Sequence, residues 1–124
     1  MVSKIRRHVL KEIGLSENYA EMQGEESYTL VKEKALKKLP VVIGKLSEAD
    51  KCSKMNPSSL KLLEIVSGIE DENSVELFHD TVTKLVDAHV ELAGASEEEQ
   101  RKHFAALHSD LVAKNIGFRE AKKK

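Results

Sequence analysis

Cysteine, proline, tryptophan and surplus charge are all scarce in this chain, and each shortage narrows what the protein can be. Its 124 residues hold one cysteine, two prolines and no tryptophan. A lone Cys52 cannot close an intrachain disulfide, so nothing points to a secreted, bridge-stapled domain. An intracellular location, cytoplasmic or organellar, is the expectation. Lys and Arg number 20 against 21 Asp and Glu, so no overall field draws the chain to nucleic acid or to an acidic surface. A nucleic-acid role would need a local patch. Two tyrosines and three phenylalanines are also too few to interleave with basic residues and stack bases. No apolar run approaches the roughly 20 residues that span a bilayer, which excludes a transmembrane helix within this sequence.

What is present is helical period. At 40% hydrophobic and 33% charged, the composition is that of a globular chain whose helices keep a solvated face. The length predicts one core, with a single helical domain over 1–118 and a basic tail over 119–124. The stretch 73–117 dominates. Val75, Phe78, Val82, Leu85, His89 and Leu92 recur at steps of three and four, as do Phe104, Leu107, Leu111 and Phe118. This predicts two long helices joined at Gly94-Ala95 and folded back as an antiparallel hairpin.

Earlier in the chain, Val2, Ile5, Val9 and Ile13 form a stripe, with Lys4, Arg6, Arg7, His8 and Lys11 around it. Gly14 is a natural stop and Leu15 can supply the apolar contact that follows such a cap. A basic amphipathic start also fits an organelle-targeting or membrane-surface segment; a first bundle helix with a solvated basic face is the favoured reading. Residues 16–24 suggest a turn. Tyr28, Val31, Ala35, Leu39, Val42 and Leu46 make the next stripe, with Lys32, Lys34, Lys37 and Lys38 mostly facing water and a kink expected near Pro40. The run Pro-Val-Val-Ile-Gly-Lys is not a phosphate loop, because Leu39 and Leu46 stand where that loop needs Gly and Ser or Thr. Ser47 and Asp50 suggest the start of a short helix through Cys52 toward Met55. Asn56-Pro57 then reads as a cap and first residue of a further helix. Leu60, Leu62, Leu63, Ile65, Val66 and Ile69 make that helix apolar around much of its circumference, so it is expected to be the most buried. Asn73 with Glu76, and Ser96 with Glu99, have the capping-box spacing.

The predicted fold class is therefore all-α, a compact bundle of four long helices with one or two short ones. Candidate chemistry rests on histidine. His79, His89, His103 and His108 lie on the last two long helices, with His89 inside the Val82-Leu85-Leu92 stripe and only His103 at an edge. A rise of about 1.5 Å per residue from the turn sets His89 level with His103, and His79 level with His108. Two histidines per level are too few for a closed zinc site; no metal site is predicted, and partly buried histidines bonded to carbonyls are expected. Cys52 lacks a nucleophile's signature, and no carboxylate pair lies on an apolar face. No enzyme is expected.

Three helical families resemble parts of this stretch. Ala88-His89 before Gly94-Ala95-Ser96 is similar to the phosphorelay histidine-transfer motif, but Leu92 and Ala93 occupy the places of its lysine and glycine. Leu62 to Gly117 resembles the last helices of a globin, with His89 at the haem-binding position and Ser96 capping the next helix. That resemblance implies a haem site. The chain ends where a globin's final helix begins, and residues 40–56 hold no phenylalanine to wedge the haem. Residues 62–117 are also similar to the four-helix extrinsic PsbQ-type subunit of photosystem II, through EIVSG, SVELF and the Val-Asp before His89. None of the three supports a family assignment. The expected function is a non-catalytic interaction or assembly adaptor that binds another protein through Lys4, Arg6, Arg7 and Lys11, without a cofactor. The alternative is a small-ligand or cofactor carrier, with haem or a metal held at His89 and by His103 or His108.

Overall fold

The computed structural model describes residues 2–15, 28–68 and 74–113, and these form five helices and no strand. In chain order they are α1 (Val2–Ile13), α2 (Tyr28–Glu48), α3 (Pro57–Ser67), α4 (Ser74–Glu91) and α5 (Glu97–Leu111). The expected turn over 16–24, Ile69, the Asn73 cap, Phe118 and the tail over 119–124 lie outside the described residues.

Helix α4 is the axis of the bundle because its stripe is the widest. Leu77, Phe78, Val82, Leu85 and Val86 are all buried, and α1, α3 and α5 each pack against it. Helix α2 lies on α1 and α3. One apolar cluster draws on all five helices, joining Val9 and Ile13 to Leu39 and Ile43, Leu63 and Val66, Val82 and Leu85, and Leu111. Removing each such side chain from water contributes about 1.5–3 kcal/mol before the entropy of ordering it is counted. A smaller cluster of Ala88, Leu92 and Phe104 closes the α4–α5 end.

Local chemistry sets the helix ends. Gly14 adopts φ 84°, its N–H donates to the Lys11 carbonyl at 3.2 Å, and Leu15 N–H donates to Leu10 O at 2.8 Å. This pair of bonds is the Schellman stop, and the buried Leu15 supplies its apolar contact. Asn56 caps α3 as expected, its Oδ1 accepting from Ser58 N–H at 2.8 Å and Ser59 N–H at 3.3 Å, with Pro57 as first residue. Ser96 caps α5 by accepting from Glu99 N–H at 3.2 Å. Helix α2 runs on through Pro40, which is half-buried.

Three expectations are corrected. No short helix forms between Ser47 and Met55; α2 ends at Glu48 and the chain turns through Asp50 at φ 58°. Ser and Asp serve a helix stop here as readily as a start, because a short polar side chain tolerates the left-handed region. Helix α3 is not the most enclosed element. Its Ile65 is 53% exposed, since α4, α2 and α5 cover only part of its circumference. Lys32 does not face water: it is buried, and its Nζ donates to Ser67 O at 2.9 Å, where the negative end of α3 suits a cation. Helix α5 folds back on α4 as the hairpin reading expects, and packs against α3 as well.

Candidate functional site

His89 is buried and held at both ring nitrogens. It is 1% exposed, near the end of α4. Its Nδ1 lies 2.7 Å from Leu85 O, one turn back, and Asn56 N–H lies 3.2 Å from its Nε2. A carbonyl only accepts and a backbone N–H only donates, so the tautomer is fixed: Nδ1 carries the proton and Nε2 accepts. The carbonyl of the same residue accepts from Ser53 N–H at 2.8 Å. Ring and backbone of one residue thus hold both ends of the turn that leads into α3. Burial lowers the His89 pKa; the Leu85 carbonyl opposes that, and nearby His108 adds to it.

Phe104 gathers the candidate histidines. Its ring centroid is 4.6 Å from that of His89, 5.8 Å from His108 and 6.1 Å from His103, the last edge-on. The three do not converge on a common point. His89 is engaged with Leu85 and Asn56, and His108 Nε2 lies 3.0 Å from Ser59 Oγ on α3, while His103 is exposed. His108 reaches α3 because α5 packs against two helices. Burial lowers the His108 pKa as well.

A serine beside a histidine invites a nucleophile reading. Ser59, however, is 0% exposed, and no substrate carbonyl reaches an oxygen so enclosed. The adjacent hollow, of about 130 Å³, is lined by Asn56, Ser58, Arg101, Phe104, Ala105 and His108 and does not include His89. It is smaller than the ~300–1,000 Å³ of pockets that enclose drug-sized ligands. A metal or haem iron bound at Nε2 of His89 would displace the Asn56 N–H and leave that donor without its acceptor. The residues around His89 therefore do not fit a haem. Nor does His89 match the histidine-transfer resemblance, which needs an exposed imidazole. Among the described residues no three His, Cys, Asp or Glu side chains come together as a metal site.

Cys52 is buried, its Sγ–H donating to Ile43 O at 3.4 Å, and burial pushes its pKa up to about 11. That is the opposite of an activated thiol.

The four basic residues singled out on α1 separate into two kinds. Lys4, Arg7 and Lys11 are exposed. Arg6 is half-buried and forked onto Asp87 of α4, Nε to Oδ1 and Nη2 to Oδ2, both at 2.7 Å. Arg6 therefore joins helices and is withdrawn from the partner-binding set. Sequence reasoning missed two surfaces. Leu30, Lys34, Lys37, Val41 and Lys45 are all exposed on α2 and follow i, i+4, i+7, i+11, i+15, one outward face. Leu30 and Val41 are 65% and 57% exposed. That spacing was present in the sequence. A groove of about 390 Å³ also lies between α1 and the end of α2, lined by Lys4, Ile5, His8, Leu46 and Lys51. Among the described residues no helix is long and apolar enough to cross a membrane.

Comparison of the chain with family models, with curated proteins and with solved structures finds no match.

Proposed function

We propose that this chain is a non-catalytic interaction module, and that the outward face of α2 docks an acidic partner protein. The observation that carries the reading is the α2 stripe, where two aliphatic side chains stand out of the surface three helical turns apart with lysines between them. Isolated exposed aliphatics are ordinary, but two on one helical face framed by Lys34, Lys37 and Lys45 make a patch with both apolar and electrostatic content. The exposed Lys4, Arg7 and Lys11 add basic charge on α1. Such an arrangement steers an acidic partner by charge and holds it by the aliphatic contacts.

The non-catalytic part of the reading is supported by how the reactive groups are used. His89 has both nitrogens committed, Ser59 is enclosed, and the Cys52 thiol is pushed away from ionisation. The test is crosslinking capture at low and high salt with the full chain and with a variant carrying Leu30→Ser, Lys37→Glu and Val41→Ser. These side chains are exposed, so the variant keeps the wild-type helical content and melting temperature. A partner captured by the wild type at low salt, weakened by salt and lost from the variant is the expected result. Equal capture of the same proteins by both chains would overturn the assignment of the surface.

A further inference from the structure

Two helices of the bundle end in the same backbone turn and fill its last position differently. In the turn that closes α1, the residue after left-handed Gly14 is Leu15, which is buried. In the turn that closes α2, Asp50 takes the left-handed place: Asp50 N–H donates to Ser47 O at 3.1 Å, and Lys51 N–H donates to Leu46 O at 2.9 Å. The residue after the left-handed one is where this turn ordinarily sets an apolar side chain against the last full turn of helix. Here it is the exposed Lys51. The groove of about 390 Å³ opens there against the first half of α1.

The lining of the groove states what it would hold. Among the described residues its walls are mostly apolar, built on Ile5 and Leu46, and the polar groups that line it are the ammoniums of Lys4 and Lys51 and the imidazole of His8. Glu12, Glu48 and Asp50, the nearest acids along the chain, are not among the lining residues. The volume falls within the range of small-molecule sites, roughly 300–1,000 Å³. A purely apolar guest would draw water away from two ammoniums without giving them a partner, and an inorganic anion would leave the aliphatic wall uncovered. A molecule with both characters satisfies both walls.

We propose that the groove between α1 and the end of α2 binds a small amphiphilic carboxylate, its alkyl tail against Ile5 and Leu46 and its head among Lys4, His8 and Lys51. This goes beyond the docking of a protein on α2 and does not depend on it. The test is titration of the full chain with octanoate, followed by amide chemical shifts and calorimetry, beside octanol and acetate as probes lacking the charge or the tail. Octanoate is expected to bind in the micromolar to millimolar range, with shifts confined to residues 4–8 and 46–51, and at least about tenfold more tightly than octanol or acetate. Lys4→Gln with Lys51→Gln should weaken octanoate about tenfold or more. Lys51→Leu restores the usual apolar residue of the turn, so it keeps the fold and closes the groove; it should abolish binding. Octanol binding as well as octanoate, shifts centred elsewhere, undiminished binding by either variant, or no binding at millimolar octanoate would each overturn the proposal.

Discussion

The Asn56 N–H donates to Nε2 of His89 across 3.2 Å, so the entry to α3 is held by a ring near the end of α4. That bond exists only while the imidazole is neutral, since protonation of Nε2 would set one N–H against another. The pKa of His89 and that of His108 are both lowered by burial from the ordinary 6.5. Below that pH the unfolded chain takes up protons that the folded chain refuses. Stability is therefore complete above about pH 6.5 and falls as the pH drops below it, by up to about 1.4 kcal/mol per pH unit for each imidazole until the folded form protonates too. Urea denaturation at pH 7.5 and pH 5.5 should show the loss. His89→Gln should be less stable at pH 7.5, by about 1–3 kcal/mol for a buried donor deprived of its partner, and its pH slope should be shallower. An unchanged slope would mean that His89 does not titrate as described.

Arg6 and Asp87 form the other clamp. The fork geometry, with two bonds at 2.7 Å in a half-buried setting, distinguishes this pair from the surface pair Lys102–Glu98 at 3.5 Å. A double-mutant cycle on Arg6→Ala and Asp87→Ala should give a coupling of about 1 kcal/mol, while the same cycle on Lys102 and Glu98 should give a few tenths at most. Arg6→Lys should recover only part of the loss, because an ammonium cannot fork.

Some of this architecture is local enough to be read from residue order. Gly14-Leu15 and Asn56-Pro57 announce their caps because all the atoms involved lie within a few residues, and the α4 stripe announces itself by period. Other features depend on what approaches from far along the chain. Ile65 looks like core by composition yet faces out, because three neighbours leave one side of α3 uncovered. Lys32 looks solvated but ends on the Ser67 carbonyl, a helix away. Arg6 reads as one of four surface cations until Asp87 is placed beside it. At the candidate sites, the burial of His89 was legible from its stripe, whereas the Asn56 contact was not. The groove is not legible in residue order, because Ser47 and Asp50 have the spacing of a helix start while Asp50 takes the left-handed place of a helix stop.

Helix α1 is an integral part of the bundle, as the favoured reading of its stripe expects: its Val9 and Ile13 are fully buried and its Arg6 is clamped to α4. Deleting residues 1–14 should abolish the cooperative thermal transition, monitored by circular dichroism. Ile13→Ala alone should cost about 2–5 kcal/mol.

Cys52 should be silent toward a disulfide reagent at pH 8 in the folded protein, given burial and a pKa raised to about 11. One thiol per chain should react promptly in urea, and the slow native rate should track global or local opening. Fast native labelling would show that the turn over 49–56 opens independently of the helices.

The Arg6 and Asp87 side chains are 81 positions apart. Those 81 positions must therefore all be synthesised before α1 can meet the surface of α4 that holds it. Helix α2 can cover part of its aliphatic edge sooner, but the contact with α4 must wait. Closure of α1 onto α4 therefore carries the larger loop-closure cost, and substitutions at Arg6 or Asp87 should speed unfolding more than they slow folding.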